Sequence, residues 1–198
     1  MTKLVGISGS LRRGSLNSAL LRAAAERTPE GSELLIATIR GIPLYDGDLE
    51  AAKGIPETVS ALKDGIAAAN GLLLVTPEYN NSIPGPFKNA IDWLSRPPAD
   101  IKRVFSGKPV ALTGASPGGF GTILSQNAWL PVLHALGAEL CAEGRLLMAR
   151  AQGVFDSSGN LTDAAMKDRL REFLQGFVAF VDHANLKPCL WGPRIADA

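Results

Sequence analysis

Apolar and polar positions alternate in blocks rather than residue by residue. Short apolar runs recur at Leu4–Ile7, Glu33–Ile36, Gly71–Thr76 and Lys108–Thr113, and a fifth starts at Glu139 and reaches Ala142. None shows the strict alternation of a half-exposed strand, so each suits a strand covered on both faces. Between them lie stretches with helical apolar spacing: Asn17 to Glu26, Pro56 through Val59, Leu62, Ile66 and Ala69, Phe87 to Leu94, Ile123 to Leu136, and a last helix capped by Thr162 that reaches about Asp182. Thr28-Pro-Glu-Gly31, Gly137 and Asp156-Ser-Ser-Gly-Asn160 punctuate them, and Arg40 to Gly54 has the Gly and Pro content of a loop. Such βα alternation predicts a three-layer α/β sandwich with a five-stranded parallel sheet of order 2-1-3-4-5. The expected layout is one domain over residues 1–183 and an irregular tail over 184–198.

In that order the first and third strands are neighbours whose following helices leave on opposite faces, opening a crevice at their carboxyl ends. Loops of unusual composition follow strands one, three and four, and all three open there. The first, Gly9 to Asn17, joins a buried strand to a strongly helix-forming run. Gly9 and Gly14 permit close backbone approach, Ser10, Ser15 and Asn17 offer neutral hydrogen bonds, and Arg12 and Arg13 offer guanidinium forks beside a helix N-terminus. The frame Gly9-x4-Gly14 places Ser15 where a nucleotide-triphosphate loop needs Lys, and Gly6 and Gly9 miss the dinucleotide spacing. One terminal phosphate without a metal fits what remains; a plain Gly/Ser turn with surface arginines is the alternative.

The 198 residues suffice for one ordinary domain, and 46% hydrophobic with 20% charged residues describes a globular protein. A net charge of +1 with no long basic cluster argues against nucleic acid, and no apolar run approaches membrane-spanning length. Met1-Thr-Lys3 leads directly into the first strand without room for a secretion signal, so a cytoplasmic location is expected. Cys141 and Cys189 form no C-x-x-C and, with two histidines, give no metal-site pattern. Asp46, Asp48, Glu50 and Glu57 mimic calcium-loop spacing, but Ala51 stands where the turn needs Gly.

Gly9-Ser-Leu-Arg-x-x-Ser-x-Asn17, Pro77-Glu-Tyr-Asn-x-Ser-x-Pro-Gly85 and Lys88-Asn-Ala-Ile-Asp-Trp-Leu-Ser-Arg96 together resemble the NADPH-dependent FMN reductase family of flavodoxin-like flavin, quinone, azo-dye and chromate reductases. The resemblance spans about Lys3 to Asp182. It implies FMN as cofactor, NADPH or NADH as donor, a small-molecule electron acceptor, and a homodimer or homotetramer. It places Ser10, Arg12, Ser15 and Asn17 around the FMN phosphate. Pro77, Glu78, Tyr79, Asn80 and Ser82 would line the isoalloxazine and ribityl edge, and Ser116, Gly118 and Gly119 the ring's other edge.

No side chain is assigned to catalysis, because a flavin carries its own chemistry. His134, inside an apolar helix, is expected to be a hydrogen-bonded structural residue, and Trp93 to pack in the core or at a subunit interface. Two alternatives share the fold: a flavodoxin-type electron carrier, which the near-neutral charge disfavours, and a flavin-binding regulatory protein. A receiver domain would need an Asp ending strand three, where the chain has Thr76-Pro77.

Overall fold

The computed structural model describes residues 1–142 and 144–186. Strands β1 (Thr2–Ser8), β2 (Ser32–Ala37), β3 (Gly71–Val75), β4 (Pro109–Ala115), β5 (Glu139–Leu140) and β6 (Leu146–Met148) form one sheet. Every pairing is parallel, in the order β2-β1-β3-β4-β5 with β6 also on β4. The doubly wound topology is the expected one, with a correction at its far edge, where two short strands share the fifth place. β5 pairs with Pro109 and Val110, and β6 with Thr113 to Ala115. Gly144, at φ +74°, leaves the extended conformation between them.

Helices α1 (Leu16–Ala25) and α7 (Ala164–Leu186) cover one face of the sheet, burying Leu20, Leu21, Leu174 and Phe177 against Leu4, Leu73 and Val75. On the other face α3 (Glu57–Ala68), α4 (Gly85–Leu94) and α6 (Ile123–Ala135) bury Ile66, Phe87, Trp93 and Trp129 against Ile7, Leu72 and Leu74. All of β3 is buried, which is why its sequence is continuously apolar.

Two short helices lie in segments expected to be irregular: α2 (Gly47–Lys53) and α5 (Ile101–Val104). α2 buries no residue, so it carries no apolar stripe. Its start is Asp46, whose carboxylate accepts the N–H of Asp48 at 2.9 Å, and Glu50 accepts the Tyr45 hydroxyl at 3.0 Å. The final helix starts later than Thr162, which instead donates to the Val154 carbonyl. Asp163 accepts the Met166 N–H at 2.7 Å. α7 extends to Leu186, so the boundary drawn at residue 183 falls inside a helix. The rest of the expected tail, with Cys189, lies outside the described residues.

Candidate functional site

β1 ends at Ser8, and Gly9 continues its ladder by donating to the Val75 carbonyl at 3.0 Å. A Cβ on Gly9 would lie 2.1 Å from Phe87 Cδ1, so this glycine admits the ring of α4 to the base of the loop rather than a ligand. Beyond it the loop turns outward. Ser15 is buried and caps α1, its Oγ accepting the Ser18 N–H at 3.1 Å, while Ser18 Oγ lies 3.1 Å from Ser8 Oγ. Ser10 Oγ accepts the Arg12 N–H at 3.3 Å.

What this loop leaves unpaired decides its chemistry. Among the described residues the N–H groups of Leu11, Arg13 and Gly14 have no partner in the protein, and Leu16 and Asn17 sit in the first helical turn, where no intrahelical partner exists. The guanidinium groups of Arg12 and Arg13 are exposed and engaged by no carboxylate or carbonyl of the described residues. Donors in excess at the positive end of a helix fit a phosphate.

Asn17 departs from its expected role. Its buried amide donates to the Ala115 carbonyl at 2.9 Å and accepts the Ala115 N–H at 2.9 Å, fastening α1 to the end of β4. Its backbone N–H is the part that faces no partner.

The second loop is a short hairpin. Tyr79 and Ser82 exchange backbone hydrogen bonds at 3.1 and 3.0 Å, with Asn80 and Asn81 both left-handed at φ 49° and 62°, the signature of a type I′ turn. Asn81 was the unremarked half of that Asn-Asn signal. Pro77 and Pro84 are buried at its roots, whereas Tyr79, Asn80 and Ser82 are exposed. Glu78 does something other than face a ring: its Oε2 accepts the N–H groups of Leu124 and Ser125 at 2.8 and 3.0 Å. It therefore caps α6, whose own N-cap residue Thr122 offers no side-chain bond.

Below this cap Thr76 Oγ1 lies 2.8 Å from Ser125 Oγ and accepts Trp129 Nε1 at 3.0 Å. Trp129 meets Phe87 edge to face at 5.0 Å, and Phe87 abuts Gly9. This buried chain joins the bases of the first two loops to α6. The third loop leaves β4 at Gly114, where a Cβ would sit 2.2 Å from both the Thr76 carbonyl and Thr122 Oγ1. Ser116 donates to Met148 and accepts from Ala151, each at 3.0 Å, and the Gly118 carbonyl accepts the Arg150 N–H at 2.8 Å. Gly118 and Gly119 are exposed, and Phe120 beside them is 82% exposed.

Other expectations meet the structure as follows. Trp93 is fully buried in its own chain, donating to the Pro43 carbonyl at 2.9 Å and packing edge to face on Tyr45, so it is core and offers nothing to an interface. Burial, and then the Glu50 carboxylate, push the Tyr45 hydroxyl above its ordinary pKa. Lys88 pairs with Asp92 at 2.6 Å. His134 is exposed on the outer side of α6 rather than held inside it. Cys141 is half-buried against the α1/α7 core. Sequence reasoning missed Thr76, Ser125 and Trp129 as braces, and Arg40, which reaches the first loop from beyond β2 and donates to the Leu11 carbonyl at 2.8 Å. A threonine ending an apolar strand was a signal for Thr76; a contact 29 residues away left none for Arg40.

The profile of the NADPH-dependent FMN reductase family matches residues 2–153, and the chain belongs to that family. It is an oxidoreductase of the flavodoxin-like class, with FMN as cofactor and NAD(P)H as donor. It is 43% identical over 179 residues to an NAD(P)H-dependent FMN reductase of Pseudomonas aeruginosa, covering 90% of this chain and 95% of that one. It is 37% identical to a 2-hydroxy-1,4-benzoquinone reductase of a Burkholderia species, covering 90% and 96%. Among solved structures it matches a flavoenzyme NAD(P)H:(acceptor) oxidoreductase of Paracoccus denitrificans at a TM-score of 0.83 and 32% identity, covering 93% of this chain and 99% of that one. No helix among the described residues is long and apolar enough to cross a membrane.

Proposed function

We propose that this protein transfers two electrons from NAD(P)H to a small planar acceptor, quinones foremost, with flavins, azo compounds and chromate as further acceptors. The observation that carries the reading is the crevice itself: a donor-rich phosphate loop after β1 opposite two cross-braced loops after β3 and β4. The 2-hydroxy-1,4-benzoquinone reductase among the relatives supports the quinone as acceptor. In this proposal Ser10, Arg12, Ser15 and the Asn17 N–H hold the FMN phosphate, Pro77, Glu78, Tyr79, Asn80 and Ser82 line one edge of the ring, and Ser116, Gly118 and Gly119 the other. The two-electron chemistry between nicotinamide and acceptor is what FMN supplies when bound.

The chain's own residues orient and position. Asn80 and Asn81 hold the hairpin turn by their left-handed backbones, and Glu78 fixes that turn to α6. Tyr79 and the Gly118–Gly119 backbone leave the crevice open on one side, so donor and acceptor occupy the same place in turn, a ping-pong order. Each turnover converts NAD(P)H, a proton and a quinone to NAD(P)⁺ and hydroquinone. A cytoplasmic location and a homodimer or homotetramer belong to the same reading. Purified protein should show flavin absorption that bleaches with NAD(P)H under exclusion of air and returns on addition of benzoquinone, with parallel lines in double-reciprocal plots. Intersecting lines would overturn the ping-pong order, and turnover only with a protein partner would favour an electron carrier.

A further inference from the structure

Three guanidinium groups gather at the first loop, more than one cofactor phosphate requires. Arg12 and Arg13 are exposed and have no acceptor among the described residues. Arg40 enters from the segment after β2 and donates through Nη2 to the Leu11 carbonyl at 2.8 Å, which brings its charge to the outer tip of the loop. Leu11 and Arg13 are two residues apart, so their Cα atoms lie within roughly 7 Å of each other. Arg40 and Arg13 therefore share one side of the tip.

The acids nearest in sequence are turned to other work and do not neutralise this cluster. Asp46 caps α2, Glu50 accepts the Tyr45 hydroxyl, and none of the ion pairs among the described residues includes Arg12, Arg13 or Arg40. In a chain of net charge +1, three clustered and uncompensated arginines are a local field with a specific sign.

Resting on the oxidoreductase reading above, we propose that Arg13 and Arg40 form a second phosphate subsite, outside the FMN phosphate pocket, that takes the 2′-phosphate of NADPH and selects it over NADH. Arg12, followed by the unpaired Arg13 and Gly14 N–H groups and α1, belongs to the inner phosphate. The outer pair sits where a second nucleotide lying over an open crevice would carry its adenosine end. A phosphate monoester bears a charge near −2 at neutral pH, and planar guanidinium forks match its oxygens two at a time.

The test uses FMN-loaded protein, with Arg13→Ala, Arg40→Ala and the double variant. Calorimetric titration with adenosine 2′,5′-bisphosphate against adenosine 5′-monophosphate reads the subsite without turnover. The kcat/KM ratio for NADPH over NADH reads it in the reaction, and FMN affinity is measured on each stripped variant. The expected result is a parent that prefers the 2′-phosphate, and a loss of that preference of about 10-fold for each single variant, larger for the double. Equal losses with NADPH and NADH, or a parent without preference, would overturn the proposal. So would an Arg40→Ala variant whose only change is weaker FMN binding, which would make Arg40 a clamp on the loop. A parent that carries flavin yet oxidises neither nucleotide would instead remove the oxidoreductase reading beneath it.

Discussion

The tip of the phosphate loop and the pair of loops facing it are built on opposite terms. The tip, Ser10 to Gly14, shows donors without acceptors and is tied to the rest of the molecule by the Arg40 contact at Leu11. The loops after β3 and β4 have their polar groups paired with one another: Glu78 with α6, Thr76 with Ser125 and Trp129, Ser116 and Gly118 with residues 148–151. A flat ring needs fixed walls, and walls are fixed by side chains whose own positions are held by packing and hydrogen bonds. A phosphate needs unpaired donors, and those donors stabilise the fold only when the ligand arrives. Stability and affinity should therefore separate by region.

The largest effect is expected in the brace. Trp129 is fully buried, donates to Thr76 and packs on Phe87. Trp129→Ala removes a large buried aromatic and leaves the Thr76–Ser125 pair beside a cavity, a loss of about 3–5 kcal/mol of stability. Urea unfolding of the flavin-free protein measures it. A loss below about 1 kcal/mol, the level of an ordinary substitution, would mean that the brace does not hold these loops.

Glu78 gives a smaller and more local version. Glu78→Ala strips the cap from α6, at a cost of about 1 kcal/mol in the same unfolding assay. Because that carboxylate also positions the hairpin at Tyr79 to Ser82, FMN fluorescence should show a more mobile ring in the variant. An unchanged unfolding midpoint would show that water replaces the cap without loss, and the contrast between the regions would be weaker than drawn here.

The architecture was legible in the chain because βα alternation and fully apolar strands are local signals; strand order followed from handedness and from the three loops that had to converge. The split fifth strand and α2 escaped for a shared reason. Neither β5 nor α2 buries enough side chain to imprint a period. At the site, residue types pointed to the right loops, yet the side chains of Asn17 and Glu78 turned out to join elements 98 and 46 residues apart. A polar residue in a cofactor loop can serve a ligand or hold the loop itself, and the sequence looks the same in both cases. Trp129 and Arg40 act across tertiary contacts for which no spacing rule exists.

The smallest expected effect on stability, and the sharpest on binding, belongs to Arg12. Its side chain is exposed and touches no acceptor among the described residues, so Arg12→Ala should leave the unfolding free energy of the flavin-free protein within about 0.5 kcal/mol of the parent. The same change removes a charge-assisted bond to phosphate worth about 1.5–3 kcal/mol, so the FMN dissociation constant should rise about 10- to 100-fold. Riboflavin, which lacks the phosphate, supplies the internal control: its weaker affinity should be the same in parent and variant. Salt supplies a second, because screening reduces the parent's FMN affinity through a charge that the variant no longer has, and the two affinities should converge as ionic strength rises. If riboflavin binding fell together with FMN binding, Arg12 would be shaping the crevice rather than meeting the phosphate, and the division between a donor-rich tip and braced walls would have to be redrawn with Arg12 among the braces.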